Sequence, residues 1–151
     1  MKELIKARED LWHWDKDPQI LLDEWFAAED YPNTELLAAA QYYRQQGMKT
    51  YLATNQEFYR TKYLSDVTFP NQFDGIFAAY ELGHLKGEPE FWTDVLGKLV
   101  IDVPGIQPEE VVYFDDSPSY VETAQIAGIA AHVYKSNAQV KDIVQLGRNL
   151  Y

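Results

Sequence analysis

VVYFDDSPSYVETAQIAGIAAHVY, residues 111–134, holds in one stretch a strand, a helix and a second strand. Val111 to Phe114 is an apolar run rich in β-branched and aromatic side chains, the composition of a buried strand. A helix is expected from about Ser119 to Ile126, ending at Gly128, with Ser119 and Glu122 spaced as a capping box. Ala130 to Tyr134 then reads as another strand. Two strands joined by a crossing helix pair in parallel. Asp115 and Asp116 close the first of them.

The same alternation extends upstream as far as residue 34. Leu36, Leu37, Ala40 and Tyr43 recur at helical spacing in a helix expected over Glu35 to Gln46, with Asn33 or Thr34 as N-cap and Gly47 as C-cap. KTYLAT follows as a strand ending at Thr54. A helix is expected from about Gln56 to Leu64, a strand within QFDGIFAAY (72–80), and a helix over Glu90 to Leu99 with Phe91, Val95, Leu96 and Leu99 on one face. A last helix is expected from about Ala138 to Gly147. Helices alternating with short strands imply an α/β fold, a Rossmann-like parallel sheet with flanking helices. Residues 1–32 differ: Leu21, Leu22, Trp25 and Phe26 have helical spacing and no segment reads as a strand.

Composition limits the functional classes. The 151 residues, 46% hydrophobic and 15% aromatic, suit a single core and exclude a disordered chain. A net charge of -11 opposes nucleic acid and anionic membrane surfaces, whose binding depends on Lys and Arg. A small phosphorylated ligand remains compatible, because a local lysine, backbone amides and a divalent cation override the global field. The absence of cysteine excludes disulfides and thiolate chemistry. No segment approaches the roughly 18 apolar residues that span a bilayer, and MKELIKARED lacks the apolar core of a signal peptide. A cytoplasmic setting is expected.

In open α/β sheets ligands bind beyond the carboxyl ends of the strands. Three groups fall there: Thr54 and Asn55, then Lys86 in ELGHLKGEPEFW, then Asp115 and Asp116. A hydroxyl and helix-terminal amides suit a phosphate. Paired carboxylates suit a hard cation, and a lysine neutralises developing charge. Taken singly, Thr54-Asn55 reads as a helix cap and Lys86 as a surface lysine. Adjacent carboxylates at a buried strand end repel each other unless a cation or positive side chain is near. His13, His84 and His132 are too scattered to form a metal site.

LATNQ, LGHLKGEPEFW and VVYFDDSPSYVETAQIAGIAAHVY together resemble the second, third and fourth motifs of the haloacid dehalogenase superfamily, over roughly residues 34–135. The resemblance implies a phosphatase of small phosphorylated metabolites working through an aspartyl-phosphate. Thr54 would bind the transferring phosphoryl group with Asn55 beside it, Lys86 would stabilise negative charge, and Asp115 and Asp116 would hold Mg²⁺ directly or through water. Gly87 stands where relatives usually have proline, a change expected to loosen the loop and keep the charge.

The family's first motif, an apolar strand leading into Asp-x-Asp with the nucleophile, has no convincing counterpart. Asp15-Lys16-Asp17 is the only Asp-x-Asp, and the preceding AREDLWHW does not make a buried strand. A solvated helix start is the expected role. The resemblance makes residues 1–32 a helical cap remnant and 33–151 the catalytic core. It also places the missing strand between those ending at Thr54 and Asp115, leaving two inner edges open to a homo-oligomer or to strand donation by another chain. A non-catalytic remnant that binds phosphate, Mg²⁺ or a partner is the alternative of a different class. A phosphoacceptor receiver domain disagrees in chain order, because receivers carry the acidic pair at the first strand.

Overall fold

In the computed structural model of the chain, residues 1–8, 11 and 16–148 are described. Asp15, Trp12, Trp14 and His13 lie outside the described residues. From residue 34 the order is α3 (Thr34–Gln45), β1 (Tyr51–Thr54), α4 (Phe58–Tyr63) running into a π turn (Leu64–Thr68), β2 (Gly75–Ala78), α5 (Ala79–Leu82), α6 (Pro89–Asp102), β3 (Val112–Asp115), α7 (Pro118–Ile126), β4 (Ala130–Val133) and α8 (Asn137–Arg148), preceded by α1 (Lys2–Lys6) and α2 (Pro18–Ala28). The α/β class read from the sequence is the one observed.

The strands form two parallel pairs. β1 pairs with β2 from Tyr51–Gly75 to Thr54–Ala78, and β3 pairs with β4 from Val112–Ala130 to Asp115–Val133. Among the described residues no ladder joins β1 to β3. Each of these two strands therefore has one side without a strand neighbour among those residues.

Both pairs nonetheless pack against one helical core. Phe91, Trp92, Val95 and Leu99 of α6 join Val121 and Ala124 of α7 in a core that meets Phe77 and Ala131, with Tyr51, Ala53 and Tyr113 packed against it. On the opposite face Ala39 and Tyr43 of α3 meet Val140 and Val144 of α8, and Phe114 packs there. Tyr113 and Phe114 thus serve opposite faces, as the two-residue period of a strand requires.

Local chemistry explains where the helices start. Asn33 caps α3, its Oδ1 accepting the Leu36 N–H at 3.1 Å. Asp17 caps α2 by accepting the Gln19 N–H at 2.8 Å, with Pro18 at the first helical position. The helix start expected at Asp15-Lys16-Asp17 is met at Asp17, and Asp15 itself lies outside the described residues. One expectation fails: the Ser119–Glu122 capping box does not form, because Pro118 opens α7 and places Ser119 inside it. The strand expected within residues 72–80 is present as Gly75–Ala78, after which the chain turns directly into α5.

The N-terminal helices are tied to α4. Ile5, Leu22 and Phe26 form a small cluster with Leu21, Tyr59 and Tyr63. Arg60 donates to the Phe26 carbonyl at 3.2 Å, and its guanidinium lies 4.8 Å from the Phe26 ring centre.

Candidate active site

The carboxyl ends of β1 and β3 meet at one lysine. Asn55, directly after β1, accepts the Lys86 backbone N–H on its Oδ1 at 2.8 Å. The Lys86 side chain reaches across to Asp115, the last residue of β3, with Nζ 2.6 Å from Oδ2. The two side chains are 13% and 7% exposed, so this ion pair is largely withdrawn from solvent. Lys86 is not the surface lysine that its position alone suggested.

The loop carrying Lys86 is held firmly although Gly87 replaces proline. The Trp92 indole N–H donates to the Lys86 carbonyl at 2.9 Å, and the Leu85 N–H donates to Glu88 Oε2 at 2.7 Å. The Lys86 ammonium lies 4.9 Å from the Tyr120 ring centre, a cation–π contact. The loosening expected from Gly87 is therefore offset at Lys86 by Asn55 on one side and Trp92 on the other.

Asp115 accepts three hydrogen bonds. Its Oδ1 accepts the Ser117 N–H at 2.9 Å, and its Oδ2 accepts both Lys86 and the Tyr113 hydroxyl. Burial disfavours its charge, but the hydrogen bonds from Lys86, Tyr113 and Ser117 and the lysine's charge outweigh this and hold its carboxyl below the ordinary aspartate value. Burial, with the adjoining Asp115 carboxylate, pushes the Tyr113 phenol far up, so it is a proton donor at every relevant pH. Asp116, by contrast, is exposed.

Thr54 ends β1 opposite Ala78 and is half-buried. It adjoins the cluster through Asn55. The expected use of helix-terminal amides beside it does not occur, because α4 begins at Phe58 and Glu57 caps it, accepting Tyr59 N–H at 2.9 Å and Arg60 N–H at 2.8 Å. The helix-cap reading of Thr54 and Asn55 fails for the same reason. The structure thus links Asn55, Lys86 and Asp115 by hydrogen bonds, and sets Thr54 and Asp116 next to them in the chain. Tyr113 and Trp92 were not singled out in the sequence. The signal for Tyr113 was available, since residues 113 and 115 share a face of a strand.

Among the described residues no cluster of three or more acidic or histidine side chains could cage a cation. Mg²⁺ does not require one, because it is commonly held by one or two carboxylates and keeps several waters. Asp116, with Asp115 beside it, fits that mode.

Comparisons with known proteins bear on the family and the fold. The family described as haloacid dehalogenase-like hydrolase matches residues 3–128. No curated protein sequence matches. Among solved structures, a haloacid dehalogenase (HAD) family enzyme of Bacteroides thetaiotaomicron is similar in several forms. Its aspartate-to-alanine mutant, in complex with magnesium and inorganic phosphate, has a TM-score of 0.67 at 22% identity, covering 89% of this chain and 67% of that one. The wild-type protein with magnesium and inorganic phosphate has a TM-score of 0.63 at 25% identity, covering 86% and 66%. A further structure of the same enzyme has a TM-score of 0.58 at 25% identity, covering 72% and 53%. The chain spans between about half and two thirds of that enzyme's length.

Proposed function

Because the chain belongs to the haloacid dehalogenase-like hydrolases, we propose that it is the core of a Mg²⁺-dependent phosphatase acting on a small phosphorylated metabolite. The observation that carries this reading is the station of Lys86, a largely buried ammonium where the carboxyl ends of β1 and β3 meet. In this reading Lys86 and the Thr54 hydroxyl bind the phosphoryl oxygens, and Asn55 fixes the loop through the Lys86 N–H. Asp116 is the exposed carboxylate for a cation, with Asp115 Oδ1, which accepts one hydrogen bond and keeps a second lone pair, beside it. Bound Mg²⁺ neutralises charge on the transferring phosphate. The similar Bacteroides enzyme holds magnesium and phosphate even in an aspartate-to-alanine mutant, which supports phosphate capture by the remaining groups.

Turnover in this reading requires an aspartate that attacks phosphorus in line, forms an aspartyl-phosphate and yields it to water. We place that aspartate on an extended segment between the unpartnered sides of β1 and β3. The chain alone is then inactive, and the segment comes from an upstream extension, a second copy or another chain. Residues 1–32 are read as a cap remnant, and a cytoplasmic setting completes the reading. The sides of β1 and β3 without a strand neighbour among the described residues favour one alternative, a non-catalytic module that binds a partner strand.

Hydrolysis of p-nitrophenyl phosphate with Mg²⁺ separates these readings. The chain is compared with Asp15→Asn and with a version extended upstream by an apolar strand ending in Asp-x-Asp. Activity only in the extended version is expected. Activity in the chain itself that Asp15→Asn abolishes would overturn the placement of the nucleophile, and no activity in any version would favour the binding module.

A further inference from the structure

The carbonyl of Lys86 and the carboxylate that its ammonium contacts are both tied to one pair of aromatic rings. Trp92, 2% exposed, donates its indole N–H to the Lys86 carbonyl at 2.9 Å. Its ring centre lies 4.5 Å from that of Tyr113. The Tyr113 hydroxyl donates to Asp115 Oδ2, the oxygen that also accepts Lys86 Nζ. Main chain, rings, carboxylate and ammonium therefore close into a loop that begins and ends at Lys86.

We propose that Tyr113 and Trp92 are positioning residues for Lys86, which set where its ammonium stands toward a bound phosphate. The inference rests on the reading of Lys86 as a phosphate-binding group. A lysine side chain has four rotatable bonds and loses much freedom when ordered. Here the base of the chain is fixed by Trp92 and by Asn55, and the tip by a carboxylate that cannot rotate. Ser117 holds Oδ1 of that carboxylate, and Tyr113 holds Oδ2. Without the phenol, Oδ2 keeps only the lysine itself, so the anchor follows the group that it should locate. Tyr113 lies two residues before Asp115 on β3, and Trp92 sits on the buried face of α6 that packs against that strand. Both are thus on rigid elements and not on the loop they restrain, which is where precise positioning is best built.

The test is a double-mutant cycle on binding of inorganic phosphate in the presence of Mg²⁺, measured by titration calorimetry. It compares the chain, Tyr113→Phe, Lys86→Gln and the double variant. Tyr113→Phe keeps the ring against Trp92 and deletes only the hydroxyl. It is expected to weaken phosphate binding roughly five- to tenfold, within the net worth of one ordinary hydrogen bond, and to have no further effect in a chain already carrying Lys86→Gln. Trp92→Phe, which deletes the indole donor, is a second arm with the same expected dependence on Lys86. Equal losses with and without the Lys86→Gln substitution, or no loss from either aromatic variant, would show a merely structural role and overturn the inference while the phosphate reading stands. Failure of Lys86→Gln to weaken binding, or no phosphate binding by the chain, would overturn the phosphate reading and this inference with it.

Discussion

Lys86 and Asp115 depend on each other unequally. Asp115 has three donors, Lys86 Nζ, Tyr113 Oη and the Ser117 N–H, whereas the Lys86 ammonium has Asp115 and the Tyr120 ring. Removing one member of a buried pair leaves the other charge uncompensated. Asp115→Ala should therefore cost about 3 kcal/mol. Lys86→Met should cost less, about 1 to 2 kcal/mol, because the carboxylate keeps two hydrogen bonds. Urea denaturation of the two variants checks the order, and a larger loss in Lys86→Met would contradict it.

Asp74 joins α3 to the start of β1. It accepts Arg44 Nε at 3.0 Å, Lys49 Nζ at 3.3 Å and the Thr50 N–H at 2.9 Å. Burial raises its pKa, but the Thr50 N–H and the two cations outweigh that and leave it below the ordinary value. A depressed carboxyl contributes stability above its unfolded pKa, near 4, and loses it as pH falls through the folded value. Asp74→Asn should cost about 1 kcal/mol at pH 7. Thermal melts at pH 7 and pH 3 should show that difference shrinking in acid.

Leu22 has no solvent exposure and lies in the cluster that attaches α1 and α2 to α4. Leu22→Ala removes buried methyl groups from that cluster and not from the core around Phe91 and Trp92, at a cost of about 2 to 5 kcal/mol. Hydrogen exchange should speed up over α2 while β3 and β4 keep their protection. Equal acceleration in both regions would mean that the N-terminal helices are part of the main cooperative unit.

Gly128, between α7 and β4, has φ of +88°, and a Cβ there would lie 3.2 Å from Cβ of Pro108. Gly128→Ala combines a left-handed backbone with a tight contact. A loss of about 1 to 2 kcal/mol is expected in denaturation.

The sequence was most legible where a period and a stop signal coincided. Val112–Asp115, α7 and Ala130–Val133 all fall within residues 111–134, where strand composition, helical spacing and Gly128 agree. It was less legible where the deciding contact is distant in the chain. Asn55 and Glu57 can both cap a helix, and only the Lys86 N–H, 31 residues away, draws Asn55 into the site and leaves Glu57 to cap α4. Ser119 was misread because proline at 118 starts the helix earlier, with Ser117 at the N-cap position. Trp92 looks like an ordinary core aromatic in the sequence, and its indole N–H acquires a role only once the fold brings the Lys86 carbonyl to it, whereas Tyr113 was legible from sharing a strand face with Asp115.

In the proposed function phosphate and Mg²⁺ meet where the carboxyl ends of β1 and β3 converge. The most direct measurement is NMR chemical-shift mapping of the ¹⁵N-labelled chain titrated with inorganic phosphate and Mg²⁺. Saturable shifts are expected at Thr54, Asn55, Lys86 and Asp116 that grow together and require both ions for full amplitude. Shifts confined to other surfaces, or none at these four residues at saturating phosphate and Mg²⁺, would contradict it.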